Sequence, residues 1–363
     1  MSAEADTGPG PSTRAVHAGL PAAVQGEPFL PGPVFAAPFH LAGPADASPL
    51  GYGRMANPTW LRLEAALAEL EGGETLSFAS GMAAVAAVLL ALTEPGDVLV
   101  VPSDAYPGVR QIAEGHLRPR GIEVRAVPSD EAAVREAITT APAPSLVWAE
   151  TPANPALAVL DVRALSVAAH EAGALLAVDN TLATPLRAQP LALGADISMC
   201  SDSKYLTGHG DLVLGHVAAR AHGLVERLRA WRTLTGAVPG PFEAWLAHRS
   251  LATLAVRLER QEHNARALAE ALAAEEGVTG VRWPQVGAVV AFDLGTQARA
   301  QAFLDACELV AEATSFGGVH SSAERRGRWG TDAVGEGFIR LSAGIEDTAD
   351  LLADVRAALR ASG

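Results

Sequence analysis

Short apolar runs alternate with amphipathic segments through the first two-thirds of the chain. The runs have the length and the bulky residues of buried strands, and they occupy residues 75–79, 98–101, 122–127, 145–149, 175–179 and 196–200. Between them, apolar residues recur at helical spacing over 81–92, 108–117, 130–139 and 161–172. This alternation predicts an α/β fold in which helices cover both faces of a mostly parallel central sheet.

The two ends of the chain follow different patterns. Proline and glycine are frequent in residues 1–48, which predicts an extended N-terminal arm that packs against something else, such as a partner subunit. After Pro239-Gly240 the sequence predicts a long helical stretch over 241–275. Strands at 286–294 and 338–346, a strand region at 308–315, and helices at 297–307 and at the C-terminus follow it. We therefore expect three parts: the arm (1–48), a large α/β domain (49–240) and a smaller C-terminal α+β domain (241–363).

Composition narrows the class of protein. A formal net charge of −14 and a pI near 5.2 argue against nucleic acid and against an anionic membrane as partners. Two cysteines, Cys200 and Cys307, predict neither a disulfide framework nor a metal cluster. The N-terminal residues lack the basic and apolar regions of a signal peptide, and no apolar run has transmembrane length. A cytoplasmic enzyme acting on a small molecule is the expectation.

Lys204 is the only lysine in the chain, and the other strongly basic residues are all arginines. Arginine replaces lysine at a solvated surface, but it cannot replace a lysine that must lose its proton and attack a carbonyl. Lys204 therefore indicates an imine-forming amine, although an arginine-biased genome could leave one lysine by chance. It follows one predicted strand, Asp179 ends another, and Asn154 lies just after a third. In a parallel sheet such strand ends share the ligand-binding edge.

Pyridoxal phosphate requires a lysine, a carboxylate for its ring nitrogen, an anion site for its phosphate and usually an aromatic ring against its face. Lys204, Asp179 and Tyr106 are candidates for the first, second and fourth roles. The Ser80-Gly81-Met82 helix start, with the hydroxyls of Ser201 and Ser203, suits the phosphate. Singly, the aspartate could be a helix cap, the tyrosine could pack over a loop, and the serines could be turn residues. Their convergence around one lysine favours the cofactor.

Several longer motifs resemble the Cys/Met metabolism family of pyridoxal-phosphate enzymes, which includes cystathionine gamma-lyases, cystathionine gamma-synthases and methionine gamma-lyases. They run in family order along the chain from Thr13 to Glu346. The motifs are Thr13–Gly19, Tyr52-Gly53-Arg54 with Asn57-Pro58-Thr59, Leu70–Gly73, Ser80–Ala84, Glu150–Pro155, VDNTLATP at 178–185, SDSKYLTGHGD at 201–211 and Ile339–Glu346. The resemblance implies fold type I of the pyridoxal-phosphate enzymes, with 49–240 as the cofactor-binding domain.

The resemblance also implies residue roles. Tyr52 and Arg54 would reach a neighbouring subunit's cofactor phosphate, so a dimer is the expected minimal unit and a dimer of dimers the expected assembly. Tyr52 would also help deprotonate the substrate amine. Gly81, Met82, Ser201 and Ser203 would bind the cofactor phosphate, and Asn154 would bond the phenolic oxygen of the cofactor. Tyr106 would stack on the cofactor ring, Asp179 would hold the ring nitrogen and Lys204 would form the imine. Arg340, with Ser315 nearby, would bind the substrate carboxylate.

The reaction implied by the resemblance is transsulfuration chemistry. We expect γ-elimination of cystathionine-like substrates first and γ-replacement on an O-acylhomoserine second. Gly108 stands where methionine gamma-lyases have a cysteine, which counts against that activity. His320 replaces a family glutamate near the substrate and could contact the distal part of the substrate or act as an acid or base. A non-catalytic cofactor-binding protein is a further alternative, which the presence of Tyr52, Asp179, Lys204 and Arg340 argues against.

Overall fold

The computed structural model describes residues 9–44 and 46–363, so residues 1–8 and Ala45 of the predicted arm lie outside the described residues. The helices are α1 Pro11–His17, α2 Pro58–Glu71, α3 Gly81–Ala91, α4 Pro107–Ile112, α5 Glu131–Thr139, α6 Val162–Glu171, α7 Thr184–Arg187, α8 His222–Thr235, α9 Pro241–Leu251, α10 Leu254–Ala274, α11 Gln297–Ala306 and α12 Thr348–Ser362. The strands are β1 Glu74–Phe78, β2 Val98–Pro102, β3 Glu123–Val127, β4 Leu146–Glu150, β5 Leu175–Asp179, β6 Ile197–Cys200, β7 Gly215–Ala219, β8 Thr279–Arg282, β9 Val289–Asp293, β10 Ala311–Glu312, β11 Ser322–Arg325 and β12 Phe338–Ser342.

The central sheet has seven strands in the order β1-β7-β6-β5-β4-β2-β3. Strands β3, β2, β4, β5 and β6 pair in parallel, and β7 runs antiparallel to both of its neighbours. The predicted mostly parallel sheet is confirmed. Its parallel strands end at one edge, which brings the residues after β4, β5 and β6 together.

Both faces of this sheet are covered by helices, as the sequence predicts. Leu99 and Val101 of β2 pack into one apolar cluster with α3 and α8, whereas Val100 between them packs into another with α5 and α6. Leu146 and Val147 of β4 divide in the same way. Alternate residues of a strand face opposite sides, so a run that is apolar throughout is buried on both faces.

A second sheet of five strands, in the order β10-β11-β12-β9-β8, lies in the C-terminal part. It shares a large apolar core with α2, α9, α10, α11 and α12. Helix α9 begins at Pro241, after Gly240 in extended conformation. The three-part division at 48/49 and 240/241 stays a prediction, because one core joins residues from all three parts, including Ala15 of the arm, Trp60 of α2 and Leu258 of α10.

Several elements differ from the sequence expectations. The arm contains helix α1, whose Ala15 is buried against its own chain, so that part of the arm is not extended. The predicted 108–117 helix is α4 followed by a π-helical turn at Ala113–Leu117. Strands β7, β8 and β11 and helix α8 were not expected. Within the described ranges, no helix combines the length and apolarity that a membrane span requires.

Candidate functional site

The ends of β4, β5 and β6 form the floor of a cavity that is open to solvent. Glu150 and Asp179 are register partners at the ends of β4 and β5, and Asp179 pairs with Met199 of β6. Of the residues that the sequence places at the cofactor, those that line this cavity are Gly81, Met82, Tyr106, Asn154, Asp179, Ser201 and Lys204. Residues up to 123 positions apart in the chain (Gly81 to Lys204) therefore meet at one sheet edge, as the parallel topology requires.

The N-terminus of α3 forms an anion cradle on one side of the cavity. Ser80 caps this helix, because its Oγ accepts a hydrogen bond from Ala83 N at 3.0 Å. The first N–H groups of the helix, from Gly81 and Met82, have no acceptor within the helix. A Cβ atom on Gly81 would lie 2.6 Å from Ser201 Oγ, so only glycine lets this hydroxyl approach the helix start. The N–H groups and the hydroxyl thus converge on one point, where an anionic group is stabilised.

Lys204 projects from the loop after β6 towards the second sheet. Its Nζ donates a hydrogen bond to Ser315 Oγ at 2.9 Å and lies 5.4 Å from the centre of the Phe316 ring. Burial and the nearby Arg340 guanidinium lower the pKa of Lys204, against the opposing effect of Asp179 and Glu324. Ser315 has a φ of 83°, in the left-handed region that non-glycine residues rarely adopt, which is typical of functional sites.

Asp179, which is half-buried, lies beside the buried carboxyl group of Glu150. Asp179 Oδ1 accepts a hydrogen bond from Thr181 N at 2.9 Å, and burial raises the pKa of Asp179. Glu150 accepts the N–H of Tyr106 with both oxygens, at 2.8 and 3.1 Å. Burial and the Asp179 charge hold the pKa of Glu150 well above its usual range. Glu150 therefore fixes the backbone of Tyr106, a role that the sequence motif around it did not reveal.

Arg340, on β12, contacts both Asn154 and Ser315. Its Nη1 donates to Asn154 Oδ1 at 2.8 Å, and its Nη2 donates to the Ser315 carbonyl oxygen at 3.0 Å. The guanidinium is almost fully buried, which lowers the pKa of Arg340 to about 10. Its Nε has no hydrogen-bond partner among the described residues. A buried donor without a partner is costly, and an incoming carboxylate would satisfy it.

An acidic residue that the sequence analysis did not single out, Glu324, forms an ion pair with Arg340 Nη2. Glu324 Oε1 also accepts from Arg326 Nη1 at 2.6 Å, and Arg326 pairs in turn with Asp332. Arg340 and Arg326 lower the pKa of Glu324 against the effect of burial. This network holds the Arg340 fork in one orientation. The contact between Glu324 and Arg340 depends on the antiparallel register of β11 and β12, which the sequence alone does not show.

Six of the predicted residues are not part of the cavity lining. Two of them, Arg340 and Ser315, contact the lining residues Asn154 and Lys204, and the other four lie apart from it. Ser203 Oγ exchanges hydrogen bonds with the backbone of Leu214, at 2.9 and 3.1 Å. His320 is exposed, in the turn before β11. Tyr52 and Arg54 line a separate surface depression, where Tyr52 is 48% exposed and Arg54 Nη1 donates to the Thr233 carbonyl oxygen at 2.7 Å. The roles of these four residues, like those of the other predicted site residues, stay predictions.

The chemistry of the cavity matches pyridoxal phosphate group by group. The cavity offers a partly desolvated primary amine, a carboxylate at a strand end, an anion cradle and the ring of Tyr106. The missing Cβ of Gly81 lets the Ser201 hydroxyl approach the helix start, beside the N–H groups that would bind a phosphate. Each group is thus within one cavity, and together they can form an imine, hold a ring nitrogen and bind a phosphate.

Comparison with known proteins agrees with this chemistry. A profile of the family described as "Cys/Met metabolism PLP-dependent enzyme" matches residues 34–360. A Streptomyces coelicolor relative named "Putative cystathionine gamma-lyase" is 53% identical over 97% of this chain and 94% of its own length. A methionine gamma lyase from Micromonospora echinospora has a TM-score of 0.90 at 38% identity, covering 96% of this chain and 98% of that one. A cystathionine gamma synthase from Xanthomonas oryzae pv. oryzae has a TM-score of 0.91 at 34% identity, covering 98% and 99%. The chain therefore belongs to the Cys/Met metabolism family of pyridoxal-phosphate-dependent enzymes.

Proposed function

We propose that the protein catalyses γ-elimination on a sulfur amino acid, with cystathionine as substrate. Cystathionine and water would give cysteine, 2-oxobutanoate and ammonia. The observation that carries the proposal is the arrangement of Lys204 and Arg340 on either side of Ser315. The amine donates to the hydroxyl of Ser315 and the guanidinium to its carbonyl oxygen, so one residue sets the separation between a base and a carboxylate-binding cation.

Arg340 would bind the substrate's α-carboxylate. Its buried Nε has no hydrogen-bond partner among the described residues, and Asn154 and Glu324 hold its other nitrogens in a fixed plane. A carboxylate gripped by a guanidinium has a defined orientation. The substrate Cα would then lie near Lys204, because Ser315 joins the two cations through one residue.

Pyridoxal phosphate supplies the electron-accepting ring that makes protons at the substrate Cα and Cβ acidic. Lys204 Nζ would remove the proton from Cα. An amine acts as a base near neutral pH only when its pKa is depressed, and burial beside Arg340 depresses the pKa of Lys204. Asp179 would hold the proton of the ring nitrogen, and Tyr106 would cover the ring. Glu150 would keep Tyr106 in place through the backbone N–H.

Elimination is favoured over replacement by the relative that is 53% identical, which is named "Putative cystathionine gamma-lyase". Gly108 argues against methionine gamma-lyase activity. A Cβ atom at this position would lie 2.5 Å from Met82 Sδ and 3.1 Å from Tyr106 Cε1, so a cysteine would require Met82 to move. γ-Replacement on an O-acylhomoserine is the second candidate, supported by the likeness to a cystathionine gamma synthase.

The proposal also includes a shared active site. Tyr52 and Arg54 lie outside the Lys204 cavity of their own chain and are exposed, which suits a pair that completes the site of a second copy. The minimal unit would be a dimer, and a dimer of dimers the assembly. A cytoplasmic location, the phosphate contact of Ser203 and a substrate role for His320 remain predictions.

The test is a product assay on purified protein with bound cofactor. With L-cystathionine alone we expect cysteine, 2-oxobutanoate and ammonia in equal amounts. Turnover only after an O-acylhomoserine and a thiol are supplied would show a γ-replacement enzyme. A visible cofactor band that changes with amino acids but gives no product from either mixture would overturn both reactions while leaving the cofactor assignment intact.

A further inference from the structure

Three fully buried ionisable side chains lie behind the Lys204 loop, away from the cavity. His216 of β7 stands between Asp202 and Glu71. Its Nδ1 lies 2.6 Å from Asp202 Oδ1, and its Nε2 lies 2.9 Å from Glu71 Oε1. The relative exposures are 0% for His216, 1% for Asp202 and 0% for Glu71. Nothing in the proposed reaction uses this group, so the cost of burying it requires another explanation.

The two carboxyl groups stabilise a positive charge on the imidazole. An ionised carboxylate can only accept hydrogen bonds, and each nitrogen of His216 faces a carboxylate oxygen. When both carboxyl groups are ionised, both nitrogens donate and His216 is an imidazolium. Burial raises the pKa of Asp202, and the charge and hydrogen bond of His216 oppose that shift. Burial alone would disfavour that cation, but Asp202 outweighs it and holds the pKa of His216 well above its usual range.

The three side chains join three elements around Lys204. Glu71 is the last residue of α2, and His216 lies opposite Cys200 where β6 pairs with β7. Asp202 lies between Ser201 and Ser203, two positions before Lys204. The loop from 201 to 214 leaves the sheet after Cys200 and returns at Gly215. His216 ties the outgoing end of this loop to the returning strand.

Glu71 and His216, together with the neighbouring Cys200, offer three possible metal ligands. A structural zinc site takes four ligands, and both nitrogens of His216 already face carboxylates at hydrogen-bond distance. Cys200 is also fully buried, which raises the pKa of its thiol far above the usual value and disfavours the thiolate that a metal needs. A proton-bearing imidazole explains the geometry better than a metal ion.

We infer that His216 is a positioning residue, which acts through Asp202 to fix the Ser201–Lys204 segment against the cofactor. The inference rests on the proposed placement of the cofactor phosphate at Ser201 and of its imine at Lys204. Ser201 N donates to Thr181 Oγ1 at 2.8 Å, so the segment is held from the β5 side as well. Loss of the His216 contact would leave the inward face of Asp202 without a partner and release the segment on that side.

The test compares cofactor binding by His216→Gln, Asp202→Asn and the double variant. We expect each single variant to raise the dissociation constant for pyridoxal phosphate about tenfold, as loss of a charge-assisted hydrogen bond predicts. The rise in melting temperature on adding the cofactor should shrink accordingly. The double variant restores a neutral amide–amide pair and should bind more tightly than either single variant.

His248→Gln is the matched control. His248 of α9 is 5% exposed, and its Nε2 bonds to the Ala18 carbonyl oxygen at 2.8 Å, away from the Lys204 loop. It should lower the melting temperature of the cofactor-free protein and leave the cofactor-induced rise at the wild-type value. If the His216 and Asp202 variants behave like this control, the role is structural only and the inference fails.

Two other outcomes would also decide the question. About one zinc ion per chain in the purified protein, with loss of stability on chelation, would overturn the imidazolium assignment. Failure of the unaltered protein to bind pyridoxal phosphate would instead count against the proposed site. Cofactor binding is measured without any amino-acid substrate, so it tests the inference independently of whether the reaction is elimination or replacement.

Discussion

The predicted site residues fall into two regions. In one, the side chains have hydrogen-bond partners within their own chain, and in the other they are exposed. The strand-end region holds Lys204, Asp179 and Asn154 in one cavity. Each of them has a hydrogen-bond partner within its own chain. The Tyr52–Arg54 region is an open depression in which both residues are exposed. Side chains positioned by a buried sheet have their working geometry in one subunit, whereas an exposed aromatic and cation gain a fixed environment only when another surface covers them.

The largest expected effect is the loss of Lys204 from the strand-end region. Lys204→Arg keeps the positive charge but cannot supply a neutral amine, so activity should fall about 10⁴-fold or more and the visible band of lysine-bound cofactor should vanish. Arg118→Lys is the control, because it places a lysine on the surface in an exposed pair with Glu114. Retention of the visible band in Lys204→Arg would remove the central assignment.

A smaller effect is expected from Arg340→Lys. The charge opposite Glu324 remains but the planar fork is lost, and with it about 3 kcal/mol of charge-assisted hydrogen bonding, or about 10²-fold in kcat/KM. The measurement compares cystathionine with an analogue that lacks the α-carboxylate. The variant should lose the preference for the carboxylate-bearing substrate. An unchanged preference would mean that Arg340 serves only to hold Asn154 and Ser315.

The Tyr52–Arg54 region is tested by mixing subunits. Lys204→Arg and Arg54→Ala should each be inactive or weak alone. Co-refolded in equal amounts, they should recover about a quarter of wild-type activity, since half of the dimers are mixed and each mixed dimer has one intact site. Recovery would sharpen the contrast between the two regions. No recovery, with both variants folded and dimeric, would place Arg54 in its own chain's function.

The smallest effect is a change in the pKa of Lys204 itself. As the chain has one lysine, selective isotope labelling gives one side-chain NMR signal to titrate in the cofactor-free protein. Its pKa should lie below that of an exposed lysine, since burial and Arg340 both disfavour the ammonium form. Arg340→Gln removes a repelling cation and should raise this pKa, whereas Glu324→Gln removes an attracting carboxylate and should lower it. Shifts of the opposite sign would contradict the charge arrangement.

Local signals allowed much of the fold to be predicted. Apolar runs marked β2, β4, β5 and β6, since a strand buried on both faces has no polar alternation. The Ser80-Gly81-Met82 step marked the start of α3, which Ser80 caps. β8 escaped prediction because all but one of its side chains are exposed, and β11 because it carries Glu324 and Arg325, whose charges are neutralised by distant residues.

The sequence alone determined the family, the cofactor and seven of the residues that line the cavity. The family follows from the resemblance of long motifs, and the cofactor and these residues follow from those motifs together with residue types at strand ends and at the start of α3. Only the tertiary structure showed which partners the buried charges have. Glu150 contacts Tyr106, 44 positions away, and Glu324 contacts Arg340, 16 positions away. His216 contacts Asp202, 14 positions away, and Glu71, 145 positions away. Buried charges are stabilised by whichever partner the fold brings into contact, and in a chain with 41 acidic residues no local spacing identifies that partner.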